Sequence, residues 1–215
     1  MTDHRAFIQA NTRPLPVHSL PSIRLYQADE VTPLWLMTEA DMARDRLAPP
    51  FWAFAWSGGQ ALARYVLDNP AIVTGKRVLD LACGSGLVGI AALQAGASTV
   101  ICNDIDPYAE AATALNAELN TVNLAFLAGD LLSGPPPDID IILAGDIAYE
   151  KPMLDAMLTF LRRARAQDIA VYVGDPNRTY FPKTGFALCW SGKVVTNADI
   201  EDAATKAANV WRLLP

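Results

Sequence analysis

The amino-acid sequence predicts an α/β fold: a doubly wound, mostly parallel sheet of seven strands with an antiparallel strand at one edge, preceded by an N-terminal extension. Three observations carry this. From Gly75 onward, short apolar runs alternate with stretches of helical periodicity, the pattern of a parallel sheet covered on both faces. A glycine-rich turn follows the first of these runs directly and opens a helix. The last two runs, FALCWS (186–191) and NVWRLL (209–214), have no clear helix between them, which makes them an antiparallel closing pair.

Residues 1–22 are polar and broken by Pro14, Pro16 and Pro21, so a short helix or a loose arm is expected. Ile23 to Leu36 reads as one or two short strands, and Asp41 to Pro50 as a polar connector. Residues 1–50 are therefore an extension, and 51–215 the main domain. The aromatic segment FWAFAWSGG leads into a helix whose Ala61, Leu62, Tyr65 and Val66 share a face. Asn69-Pro70 ends it. RVLDLA (77–82) is the first buried strand, and Gly84 to Ala95 a glycine turn plus helix closed by Gly96. STVICND (98–104) is the second strand; Asp106 caps the next helix and Pro107 opens it. LAFLAG (124–129), IDIILAG (139–145) and DIAVYVG (168–174) are further strands, with a helix from Pro152 to Ala166 before the last of them.

The chain has 215 residues, 52% hydrophobic and 19% charged, enough for a sizeable core without staples. No run of about 18 apolar residues occurs, so no membrane-spanning helix is expected. A net charge of −6 disfavours a protein that tracks nucleic-acid phosphates and suits a cationic ligand or basic protein partner. Cys83, Cys102 and Cys189 are too few and too scattered for a disulfide framework or a zinc site. The two histidines, His4 and His18, both lie near the N-terminus, so histidine-based hydrolysis and histidine-rich metal catalysis are not expected. The first twenty residues lack an apolar secretory core, which predicts a cytoplasmic protein.

The chemistry starts at VLDLACGSGLVGI (78–90), where Gly84, Gly86 and Gly89 follow a strand and precede a helix. Such glycines let backbone approach a ligand at a helix N-terminus. Asp104 ends the second strand twenty residues after Gly84, a spacing suited to gripping a ribose diol. Both a dinucleotide and S-adenosylmethionine carry that diol. Asp80 separates them. A carboxylate inside a strand needs a cationic or hydrogen-bonding partner. The ammonium of a methionine moiety is one; a pyrophosphate would be repelled. Asp104, Asp106 and Asp130 add further negative charge, so the sulfonium cofactor is favoured. Capping explains Asp106, and Asp130 reads equally as an adenine ligand or an ordinary turn acid.

ILAGDIAYEKP (142–152) is the second informative segment. Asp146 lies just past an apolar strand, at the carboxyl edge where open α/β sheets bind ligands, and Tyr149 follows three residues later. A carboxylate and an aromatic hydroxyl can cradle an ammonium; the plainer reading is a helix cap with a packed tyrosine. The plain reading of Trp52 and Trp56, spaced four apart, is core packing, and for Trp52 it is preferred; Trp56 lies beside Ser57-Gly58-Gly59.

With these residues in view, the chain resembles the seven-strand, Rossmann-like S-adenosylmethionine-dependent methyltransferases. Asp146-Ile147-Ala148-Tyr149 is similar to the D-x-x-Y motif of the family that methylates lysines of non-histone proteins. FWAFAWSGGQALARYVLDNP (51–70), GKRVLDLACGSG (75–86), NDIDP (103–107) and GDIAYEKPMLD (145–155) resemble its members acting on the β-subunit of electron transfer flavoprotein. The resemblance implies a protein-lysine N-methyltransferase with S-adenosylmethionine as cofactor and that β-subunit as protein substrate. It implies Trp56 at the methionine end and Gly84 and Gly86 beneath it. Asp104 would take the ribose, with Ile105 beside it, and Asp130 and Leu131 would flank the adenine. Asp146 and Tyr149 would hold the target lysine. Two departures are Ser57, where the family has proline, and Asn177 in GDPNR (174–178), where it tends to have glycine. The residues by themselves leave open a methyltransferase with another acceptor, a cofactor-binding protein without turnover, and a nicotinamide oxidoreductase.

Overall fold

The computed structural model describes residues 3–28, 34, 49–182, 184–196 and 203–215. The expected connector before Pro49 and any strand in 29–33 or 35–36 lie outside them. The chain starts with helix α1 (His4–Asn11), capped by the Asp3 carboxylate on the Ala6 N–H. A hairpin of β1 (Arg13–Val17) and β2 (Leu20–Gln27) follows. The sequence reading missed β1 because it holds two prolines. Pro14 and Pro16 are tolerated because the ribbon has only two strands, and each is an edge with one side unpaired.

The main sheet has seven strands: β3 (Arg77–Leu81), β4 (Thr99–Asp104), β5 (Ala125–Ala128), β6 (Ile141–Gly145), β7 (Ala170–Asp175), β8 (Phe186–Val195) and β9 (Thr205–Leu213). Their order is β5-β4-β3-β6-β7-β9-β8. β3 to β7 are parallel, and β9 runs antiparallel to both β7 and β8, so an antiparallel pair closes one edge as expected. The chain steps outward from β3 to β5 and then returns to place β6 on the other side of β3. That reversal opens a crevice at the carboxyl ends of β3 and β6.

Alternation along the central strands explains the two-sided core. Val78, Ile141 and Leu143 face helices α2 (Ser57–Asp68) and α3 (Leu87–Gln94). Leu79, Leu81, Ile142 and Ala144 face α5 (Lys151–Arg165) on the opposite side. Successive side chains of a strand point to opposite faces, so a strand buried on both reads as a nearly continuous apolar run, interrupted within β3 by Asp80. Truncating a fully buried leucine such as Leu79 to alanine should cost about 2–5 kcal/mol. Arg162, Arg163 and Arg165 in the last turn of α5 complement the negative end of its dipole.

The hairpin is tied to the main sheet through α4 (Pro107–Leu119). Asn116 accepts the Tyr26 N–H at 2.7 Å through its side-chain oxygen and donates to the Ser85 carbonyl at 2.8 Å. One buried amide thus links β2 to the glycine turn. Among the described residues, no helix is long and apolar enough to cross a membrane.

Candidate active site

A cavity of about 710 Å³ opens at the carboxyl ends of β3, β4 and β6. One side is the turn between β3 and α3. Gly84 (φ +50°) and Gly86 (φ +76°) take the left-handed backbone that L-residues avoid. Gly84 lines the cavity, whereas Gly86 faces α4, where an added Cβ would meet Thr113 at 3.1 Å. Asp104, at the end of β4, accepts the Gly84 N–H at 2.9 Å and the Asp106 N–H at 3.1 Å. Those bonds fix its carboxylate at the cavity wall, with lone pairs to spare. Asp106 accepts the Tyr108 N–H at 2.8 Å, the cap expected from the following proline.

Asp80 is buried on β3 and accepts the Gly89 N–H at 2.8 Å. It thereby satisfies one of the otherwise unpaired first-turn donors of α3 from the neighbouring strand. Burial pushes its carboxyl up to about 7, against the opposing bond from Gly89. Asp130 accepts the Leu132 N–H at 2.7 Å, a turn bond, and lines the cavity together with Leu131. Ile105 is 76% exposed at the rim, an apolar side chain that a flat ring could cover.

The opposite side is built by α2 sitting on the ends of β6 and β7. Asp146 follows β6 with φ +59°, a left-handed conformation that aspartate tolerates better than most residues. Its N–H donates to the Gly174 carbonyl at 2.8 Å. Its Oδ2 accepts the Gly58 N–H at 3.1 Å, and its Oδ1 meets Arg178 Nε at 2.8 Å. The pair is poorly solvated: the two side chains are 25% and 4% exposed, Arg178 first. Behind it, Asp175 is buried and accepts the Arg178 N–H at 3.1 Å. Burial first, then the Asp146 charge, push the Asp175 carboxyl up to about 7.

Tyr149 stands at the mouth with its ring 5.1 Å from that of Phe51. Burial, with Asp104 next, raises its hydroxyl above the ordinary tyrosine value. Phe51 in turn meets Trp56 edge-on at 5.9 Å, and Trp56 Nε1 donates to the Phe51 carbonyl at 2.8 Å. Phe51, Phe54, Trp56 and Tyr149 thus form an aromatic rim. Trp52 is buried and stacks on Tyr108 at 5.8 Å, as a core residue would, although one edge reaches the cavity.

Of the residues singled out in the sequence, Trp56, Asp80, Gly84, Asp104, Ile105, Asp130, Leu131, Asp146 and Tyr149 all line this cavity; Gly86 supports it from outside. The sequence reading missed Phe51, Phe54, Met153, Met157 and above all Arg178. The signal for Arg178 is GDPNR (174–178) at the carboxyl end of β7, next to β6. The cavity has the sign a sulfonium nucleoside needs. Among the described lining residues are five aspartates, against one guanidinium already engaged by Asp146. A pyrophosphate would find carboxylates where it needs donors. The residues therefore fit S-adenosylmethionine.

Fold and site together define a Rossmann-like methyltransferase. The profile of the ribosomal protein L11 methyltransferase family matches residues 60–161. Two solved structures share the fold: ribosomal protein L11 methylase from Lactobacillus delbrueckii subsp. bulgaricus, with TM-score 0.53 and 20% identity over 75% of this chain and 81% of that one; and magnesium protoporphyrin IX methyltransferase from Synechocystis PCC 6803 with bound SAM, with TM-score 0.53 and 21% identity over 73% and 80%. Sequence similarity is closer elsewhere. The electron transfer flavoprotein beta subunit lysine methyltransferase of Xenopus laevis is 41% identical over 182 residues, 82% of this chain and 72% of the relative. The Homo sapiens protein of the same name is 38% identical over 180 residues, 82% and 68%. The chain belongs to the family of electron transfer flavoprotein β-subunit lysine methyltransferases.

Proposed function

We propose that this enzyme transfers methyl groups from S-adenosylmethionine to lysine side chains of the electron transfer flavoprotein β-subunit. The observation that carries the reading is that Asp146 and Tyr149 share one cavity with the glycine turn and Asp104. The names of the relatives supply the acceptor. In this reading residues 51–215 carry the transfer, residues 1–50 are an extension of that domain, and the reaction is cytoplasmic, engaging neither nucleic acid nor membrane.

The bound cofactor would supply an electrophilic methyl on a positively charged sulfur. The chain's residues do the rest. Asp104, held by Gly84 and Asp106, accepts from the ribose hydroxyls. Asp130 and Leu131 would flank the adenine, with Ile105 nearby at the rim. Asp80 compensates the ammonium of the methionine end, and Trp56 borders it. Asp146 accepts an N–H of the target amine, and the Tyr149 hydroxyl fixes its second direction. Only a neutral amine has the lone pair that forms the new N–C bond while the C–S bonding pair stays with sulfur. Neutralising an ordinary lysine at pH 7 costs roughly 4.6 kcal/mol. The amine's proton leaves to water at the open mouth, and alignment between Asp146 and Tyr149 carries much of the acceleration.

The test is intact-mass analysis of recombinant β-subunit incubated with the enzyme and S-adenosylmethionine. The expected result is a gain of whole methyl increments that maps to lysines. No gain on the β-subunit, with labelled methyl passing instead to another protein in an extract, would remove this acceptor. Calorimetry showing no association with S-adenosylmethionine or S-adenosylhomocysteine would remove the reading altogether.

A further inference from the structure

Asp146 poses an electrostatic problem for lysine methylation. A carboxylate within about 4–6 Å of an amine favours the ammonium and raises its pKa, and the ammonium cannot attack. The carboxylate must aim the amine without holding it protonated.

We propose that Arg178 is a positioning residue that neutralises Asp146, so that the carboxylate orients the target lysine without raising that lysine's pKa. The proposal rests on the lysine-methyltransferase reading above. Arg178 Nε takes one lone pair of Oδ1 at 2.8 Å, and the Gly58 N–H takes one of Oδ2 at 3.1 Å. A carboxylate accepts about four hydrogen bonds, so it retains acceptor capacity for the amine. The guanidinium in contact offsets the negative charge that the carboxylate presents to the amine.

The arginine is held for this task. Its own N–H is bound by buried Asp175 at 3.1 Å. The preceding residue, Asn177, turns the chain at φ +62° and is tied to β9 by Asn209 at 2.7 Å and the Ala207 carbonyl at 3.3 Å. Among the described residues, the other ionisable groups around the pair are Asp175 at the end of β7, Tyr149 and Glu150 after β6, and Asp104 across the cavity. Tyr149 is neutral at physiological pH, and burial keeps the Asp175 carboxyl partly protonated. Among the described residues, Arg178 is a cation in direct contact with Asp146.

A purely structural clamp would make the same contacts, so the test reads the protonation of the substrate. Transfer to the β-subunit is followed for wild type, Arg178→Gln and Arg178→Lys from neutral to alkaline pH. Affinity for the β-subunit is measured by calorimetry with S-adenosylhomocysteine bound. In Arg178→Gln the rising alkaline limb of kcat should move up by about one pH unit or more. That appears as about a tenfold loss near neutrality that is recovered at high pH. Binding of the β-subunit should be undiminished or tighter, because a carboxylate without that guanidinium holds the ammonium more strongly. Arg178→Lys keeps the charge and should leave the limb in place. A kcat reduced equally at every pH, or a weakened β-subunit affinity alone, would overturn the proposal. Should the glutamine variant not fold, as judged by S-adenosylhomocysteine binding, Arg178→Met is read in the same way: an alkaline limb displaced upward supports the proposal and an unmoved one sinks it. Absence of transfer by the wild type to any lysine would remove the reading beneath it.

Discussion

Gly58 lies so close to Gly174 that a methyl group on Gly58 would stand 2.6 Å from the Gly174 carbonyl oxygen, and 2.8 Å from the Asp146 nitrogen. The first turn of α2 is therefore seated directly on the ends of β6 and β7. This contact delivers the Gly58 N–H to Asp146. Gly58→Ala should force α2 away from the sheet, at a cost of about 1–3 kcal/mol for overpacking. It should also reduce turnover far more than affinity for S-adenosylhomocysteine, because the displacement falls on the Asp146 side of the cavity. Thermal unfolding with calorimetry and transfer assays checks both. An unchanged Tm would show that the helix seat is not as tight as described.

Asp146→Asn separates aiming from cofactor binding. The amide retains one acceptor but points donors at a site where Gly58 and Arg178 also donate. Arg178, one quarter exposed, loses the charge of Asp146. Turnover should fall by about a hundredfold or more, the scale of a misplaced reactant. Affinity for S-adenosylhomocysteine should stay close to wild type, since Asp80, Asp104 and Ile105 are untouched. Tyr149→Phe should show the same division with a smaller loss. Parallel losses of affinity and turnover in Asp146→Asn would defeat its assignment to the acceptor side.

The parts of this molecule that follow from local pattern were legible in the sequence. Buried strands such as β3 and β6 announce themselves as apolar runs. Gly84, Gly86 and Asp104 sit where a strand–turn–helix unit must place them. The parts set by approach between distant segments were not. Gly58, Gly145 and Gly174 read as ordinary small residues until α2 is laid across two strand ends. Arg178 is 32 residues from Asp146, and no periodicity joins them. Asn177 looked like a departure from the family's glycine, yet its φ of +62° is the conformation a glycine there would serve. Asparagine is among the few other residues that enter it readily. β1 was hidden by the usual rule against proline in strands, which holds for central strands and fails in a two-stranded ribbon.

Asp80 should couple cofactor binding to a proton. Its buried carboxyl, raised to about 7, is partly protonated near neutrality in the free protein. An ammonium arriving in the cavity favours the ionised form and lowers that value. Binding of S-adenosylhomocysteine should therefore release protons near neutral pH. The contribution of Asp80 to affinity should grow as pH rises towards 7 and level off above it. Calorimetry in buffers of different ionisation enthalpy measures the release directly. Asp80→Asn should diminish it and flatten the dependence; an identical proton release in the variant would place the ammonium away from Asp80.

Asp175 should make wild-type stability fall as pH rises through the mildly acidic range. Its carboxyl is raised to about 7 in the folded protein, by burial first and by Asp146 second, against an ordinary value near 3.9 in the unfolded chain. Between those two values the folded state binds the extra proton. Stability therefore declines with rising pH across that window, by at most about 1.4 kcal/mol per pH unit for one group, and is level on either side. Asp140, lowered to about 2 by Arg77, works in the opposite direction but only below pH 4. Asp175→Asn mimics the protonated form and keeps an oxygen for the Arg178 N–H. The Tm of the variant relative to wild type should rise from pH 4 to pH 7 and then stay constant, with each kcal/mol worth about 2–4 °C. A difference in Tm that does not change with pH would mean that the folded protein holds Asp175 ionised throughout, stabilised by Arg178 despite its burial.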